Sequence, residues 1–135
     1  MTKKLLSAML VSFLLISVSR SMVIHVPDDF ATIQEAIHAS NDGDSILVAP
    51  GTFNIQSTIL NDRVNNLYLL GSREENGRNA SIIHADVDPG MYPAVKFKHV
   101  TGGEISGFEI RNAHAGIALD TCTTLQITRN YIHDN

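Results

Sequence analysis

The stretch Gly103–Asn135 repeats itself. Ile105 and Ile110 lie five residues apart, as do Ile127 and Ile132, and the two pairs are offset by 22 residues. A fixed period of about 20–50 residues marks a chain built of stacked units. Within each unit, apolar and polar residues alternate over very short runs broken by Gly, Asn, Asp and Thr, which is strand–turn–strand chemistry. No 3.6-residue apolar period fits inside the unit. A unit this thin cannot bury its own inward side chains. Stacked on a neighbour at a strand spacing of about 4.8 Å it can, and the ladder is then parallel. The offset predicts Ile105 beneath Ile127 and Ile110 beneath Ile132, all pointing inward.

One segment departs from this pattern. Thr32-Ile33-Gln34-Glu35 fits a helix-opening capping box, with Thr32 as N-cap and Glu35 at N3. Ile33, Ala36 and Ile37 then share one helical face. Asn41-Asp42-Gly43 is expected to close the helix, with Gly43 in the left-handed C′ position. The first coil of a stacked sheet has open edge groups and a bare apolar end. A short helix over about Ile33–Ser40 is expected to cover that end.

Further strands are expected at Val23–Val26, Asp44–Ala49, Thr58–Leu60, Leu67–Gly71, Ser81–His84 and Ala94–Lys98. In the last of these, strict alternation turns Val95 and Phe97 inward and Lys96 and Lys98 outward. Pro50–Phe53 reads as a turn. Ser72–Asn79 and Asp86–Gly90 read as polar loops that leave the coil.

Composition narrows the class. Lys and Arg number 10 against 14 Asp and Glu, a net charge of −4, so the basic excess of a nucleic-acid binder is missing. Aromatic content is 6% without Trp, and small aliphatic side chains must therefore fill the core. The single Cys122 cannot form an intrachain disulfide and reads as a small buried or turn residue. Lys3 and Lys4, the apolar run Leu5–Val18 and then Ser19-Arg20-Ser21 have the layout of a signal peptide. The run is too short for a comfortable membrane span. The expectation is a leader over residues 1–21 and one domain over 22–135, secreted, periplasmic or at the cell surface, without stable membrane insertion after cleavage.

Ala31-Thr32-Ile33-Gln34-Glu35-Ala36-Ile37, followed by Gly43–Phe53, resembles the N-terminal coil of pectin-lyase-like right-handed parallel β-helix proteins. The coils from Ile105 onward resemble their generic repeats. The resemblance implies an all-β solenoid, a right-handed parallel β-helix with one N-terminal capping α-helix. It also implies an exported protein that binds or processes polysaccharide as a lyase, hydrolase or epimerase. Catalytic coils are then expected beyond Asn135, because the sequence stops within a repeat and reads as the N-terminal part of a longer protein. Catalytic residues are not identified. Pectin methylesterase activity is not implied, because Phe53 is followed by Asn54 and Ile55, where those enzymes carry a different opening motif. Two rivals remain: a non-catalytic surface or adhesive repeat protein, and a relative of periplasmic β-helix proteins of copper-site assembly. The lack of a Met/His/Cys cluster counts against the second rival.

Two residue sets carry candidate chemistry. His84, Asp86 and Asp88 occupy alternate positions, so an extended backbone places them on one side, where oxygen-rich groups could hold Ca²⁺. The alternative is a solvated loop before Pro89-Gly90. Lys96, Lys98, Glu109 and Arg111 are expected outward on neighbouring coils, where the cations could bind an acidic polysaccharide through charge-assisted hydrogen bonds. The alternative is the polar outer face of any half-buried strand. Asn112, Asn130 and Asn135 recur at turns and read as turn formers. His25, His38, His99, His114 and His133 show no metal spacing. Asn79-Ala80-Ser81 matches a glycosylation acceptor. With the helix at one end, a ligand is expected along a lateral groove.

Overall fold

The computed structural model describes residues 18, 20–86 and 92–135. Nearly all of the expected leader, and the loop positions from Val87 to Gly90, lie outside the described residues. The chain opens with β1 (Val23–Val26), then α1 (Ile33–Ala39). A first circuit follows: β2 (Ser45–Val48), β3 (Gly51–Ile55) and β4 (Ile59–Asn61). The second circuit is β5 (Leu67–Gly71), β6 (Ser81–Ala85) and β7 (Pro93–Lys98). The third is β8 (Gly103–Ser106), β9 (Phe108–Arg111) and β10 (Ala115–Asp120). β11 (Gln126–Thr128) and β12 (Tyr131–His133) begin a fourth.

These strands form three sheets, with orders β1-β2-β5-β8-β11, β3-β6-β9-β12 and β4-β7-β10. Each circuit visits the first, second and third sheet in turn. Every pairing between these strands is parallel.

The register stacks like on like. In the first sheet Ile24, Ile46, Leu69, Ile105 and Ile127 form one inward column. In the second, Phe53, Ile83, Ile110 and Ile132 form another. Ile59, Val95 and Ile117 do the same in the third. Both expected pairs, Ile105 with Ile127 and Ile110 with Ile132, are register partners. Ile105 and Ile110 are fully buried, whereas Ile127 and Ile132, on the fourth circuit, are each 42% exposed. Full burial of one such side chain contributes about 1.5–3 kcal/mol.

The corners are stacked too. Asn66, Gly102 and Thr124 all have positive φ, at 50°, 70° and 53°. Asn66 N donates to Thr101 O at 2.8 Å, and Gly102 N to Thr123 O at 2.8 Å. Left-handed backbone is cheap for Gly and Asn and costs other residues about 1–2 kcal/mol. A second such corner joins Gly107 to Arg129, with φ of 81° and 54°. The asparagines behave as turn formers: Asn130 Oδ1 accepts from Phe108 N at 3.0 Å, and Asn135 Oδ1 from Ala113 N at 2.8 Å.

The helix begins as expected. Thr32 and Glu35 form a reciprocal capping box, and Ile33, Ala36 and Ile37 are buried against the first circuit. Its end differs from expectation. The C-cap is Ser40, in extended backbone, and Gly43 takes its φ of 90° three residues later, in the turn into β2. The closing groups come from afar: Arg63 Nη2 donates to the carbonyls of Ile37, His38 and Ser40 at 3.3, 2.9 and 3.3 Å. A cation there also suits the negative end of the helix dipole. A second difference is β3. Gly51–Phe53 is strand and not turn, because its register with β6 turns Phe53 toward the core. Tertiary pairing overrides the local Pro-Gly signal.

Candidate functional site

The outward face of the second sheet carries two parallel columns. Thr52, Ile82, Glu109 and Tyr131 form one; Asn54, His84, Arg111 and His133 form the other. Both follow from strand alternation, since the residues between them point into the core.

Beside the first column stands a protruding hairpin. Arg73 and Asn79 pair in an antiparallel bridge, and Glu74 N donates to Arg78 O at 2.8 Å. This is the polar stretch expected to leave the coil. Its base is pinned by Asn79, whose Nδ2 donates to Phe108 O at 2.8 Å and Arg129 O at 3.1 Å. Those bonds use both hydrogens of the amide that would accept a glycan, and the hydroxyl residue of the motif, Ser81, is fully buried.

Hairpin and sheet enclose an open groove of about 600 Å³. Ile82, Glu109 and Tyr131 form its floor, and Arg73, Glu74 and Arg78 its wall. Arg129, at the stacked corner, closes one side. Tyr131 is 60% exposed, a flat aromatic surface presented to the groove. Three arginines face two glutamates here, in a chain whose net charge is −4. Arg73 is partly used, since its Nε donates to Gly77 O at 3.2 Å. Arg129 Nη2 lies 3.7 Å from Glu104 Oε1 and its side chain is 63% exposed.

The second column is a chain of polar contacts. Arg111 Nε donates to His84 Nδ1 at 3.3 Å, and His84 Nε2 lies 3.5 Å from Asp86 Oδ1. That acceptor role places the His84 proton on Nε2. Arg111 Nη1 donates to Glu109 Oε1 at 3.3 Å, and the same oxygen lies 3.1 Å from His133 Nε2. On its other side, His133 Nδ1 lies 2.7 Å from Asp134 Oδ2. Asp134 first, then Glu109, raises the His133 pKa above its ordinary value. The Tyr131 and His133 rings are 4.4 Å apart, inclined at 31°.

The residues singled out in the sequence are dispersed. Glu109 lines the groove, and Arg111 sits one column away on the same strand. Lys96 and Lys98 point outward as expected but from the third sheet, where Lys96 Nζ lies 3.8 Å from Asp120 Oδ2. The four do not form one surface. Of the calcium triplet, Asp88 lies outside the described residues. His84 Nε2 lies 3.5 Å from Asp86 Oδ1, and His84 also meets the Arg111 guanidinium. Among the described residues no three His, Cys, Asp or Glu side chains are arranged to hold a metal ion. Cys122 is half-buried with Sγ 3.2 Å from Phe97 O, in keeping with a turn residue.

Tyr131 and Arg129 are not among those residues, although the sequence carries a signal for Tyr131. The 22-residue offset that pairs Ile132 with Ile110 also places Tyr131 beside Glu109 and His133 beside Arg111. No protein-family model, curated protein or solved structure matches the chain.

Proposed function

We propose that the chain winds as a right-handed parallel β-helix of the pectin-lyase-like kind, and that it is an exported protein that binds an acidic polysaccharide along the groove beside the hairpin. The rotation of the chain through three parallel sheets, behind a capping helix, supports the first half. One observation carries the second: the exposed Tyr131 ring lies on the floor of an arginine-lined groove. A sugar ring presents C–H groups on its faces, and an aromatic face is a good surface for them. Guanidinium groups bind carboxylates through paired N–H donors in a fixed fork. A neighbouring aromatic and cation thus match a uronic-acid residue on both its apolar face and its acid group. The groove is open along the side of the stack, which suits an extended polymer.

The test is calorimetric titration of the protein with polygalacturonate oligomers and with neutral dextran, with and without calcium. Tighter binding of the acidic chain is expected in both conditions, because arginines supply the positive charge. Tyr131→Ala and Arg129→Ala should each weaken it about tenfold, while Lys96→Ala on the third sheet should not. Equal affinity for both polymers, or none for either, would overturn the reading in favour of a structural rod.

A further inference from the structure

We infer that acidification tightens the hold of this groove on anionic sugar, and that His133 is the residue that takes up the proton. The inference rests on the groove reading above and deepens it.

His133 stands between two carboxylates, with Nδ1 2.7 Å from Asp134 Oδ2 and Nε2 3.1 Å from Glu109 Oε1. A neutral imidazole has one N–H and one lone pair. Placing the hydrogen on Nδ1 leaves the Nε2 lone pair against Glu109. Placing it on Nε2 leaves the Nδ1 lone pair against Asp134. Only the imidazolium donates to both. The geometry therefore favours the charged ring whichever tautomer competes with it.

Among the described residues, few groups face His133. Its own strand and the residue after it supply Tyr131 and Asp134. From β9 come Glu109 and, through Glu109, Arg111. His84 on β6 meets this set only through Arg111 and does not touch His133.

Glu109 links the proton to the ligand, because it belongs both to the groove floor and to this contact. With His133 neutral, its carboxylate is balanced by Arg111 alone, and an arriving uronate meets that negative charge. With His133 protonated, a second cation sits on the same oxygen and beside the Tyr131 ring. Ordinary carboxylic acids, with pKa of about 4, stay ionised across this range, so the ligand does not titrate with the protein.

The experiment measures polygalacturonate affinity at fixed ionic strength from pH 8 to pH 6. A rise of about two- to fivefold on acidification is expected, the size of one partly exposed ion pair. His133→Gln should bind with no such rise, and His84→Gln should keep it. An affinity that does not change with pH in the unaltered protein, or a rise that survives in His133→Gln, overturns the inference while leaving the groove reading intact. Absence of binding at every pH overturns both. Proton NMR titration of the His133 ring without ligand gives a separate reading. A midpoint above the ordinary 6.5 supports the shared-proton geometry, and one at or below it overturns the inference.

Discussion

The side-chain amide of Gln34 completes the backbone of Leu60. Its Oε1 accepts from Leu60 N at 2.7 Å and its Nε2 donates to Leu60 O at 3.0 Å. β4 is the edge of the third sheet, and among the described residues no strand lies below it. The helix thus supplies, through one side chain, the two hydrogen bonds that a further strand would make. An open edge of this kind is where foreign strands add.

Gln34→Leu keeps the approximate shape of the side chain and removes both bonds. The half-buried N–H and C=O of Leu60 then lose their partners, which should cost about 1–3 kcal/mol. Urea unfolding should show a lower midpoint with an unchanged slope. A midpoint equal to that of the unaltered protein would mean that water serves this edge as well as Gln34 does.

The inward columns set a graded expectation. Ile105 is fully buried in the middle of its column, and Ile127 is 42% exposed at the end of it. Ile105→Ala should cost about 2–5 kcal/mol, including the cavity left behind. Ile127→Ala should cost less than half as much, since less apolar surface leaves water there. Equal losses in chemical denaturation would contradict the order of circuits described above.

Gly71 is constrained by close approach. A Cβ on it would lie 2.5 Å from Gly107 O, and a Cβ on Gly107 would lie 2.6 Å from Gly71 O. Both obstacles are backbone, so no side chain can swing away. Gly71→Ala should destabilise by about 3 kcal/mol, the upper end for overpacking. Gly43→Ala offers the contrast: it has open space around its Cβ and a φ of 90°, so only the left-handed penalty of about 1–2 kcal/mol applies. Thermal unfolding of the two variants should rank them in that order.

What could be read in the sequence was what periodicity encodes. A 22-residue offset specifies the register of Ile105 with Ile127, and Thr32 with Glu35 specifies the start of the helix, because both signals are local or strictly repeated. The end of the helix was not legible, because Arg63, which closes it, comes from a different part of the chain. β3 was hidden by its Pro-Gly approach, and only pairing with β6 makes it a strand. The groove was half legible. The hairpin announced itself as a polar interruption, but which outward column it would lean against depends on Asn79 reaching Phe108 and Arg129. Lys96 and Lys98 looked equivalent to Arg111 because alternation gives the side of a strand and not the sheet to which it belongs.

Glu104 provides a pH-dependent test of the corner that closes the groove. Its Oε1 accepts from Thr128 Oγ1 at 2.8 Å and lies 3.7 Å from Arg129 Nη2. The Thr128 hydroxyl first, then Ser106, holds its pKa below the ordinary 4.5, and the Arg129 guanidinium adds to this against the opposing effect of burial. A carboxyl with a depressed pKa in the folded chain stabilises it where the group is ionised in both states. That contribution is fully present above the unfolded value near 4.5 and is lost as pH falls through the lower folded value. Thr128→Val removes the largest cause while keeping the volume of the side chain. The stability difference between the unaltered protein and Thr128→Val should therefore be constant from about pH 7 to 5 and shrink on further acidification. Urea midpoints at half-unit steps of pH between about 3 and 7 would show this. A difference that grows toward low pH would mean that Glu104 is better bound when protonated, and the corner at Arg129 would then be held by something other than its carboxylate.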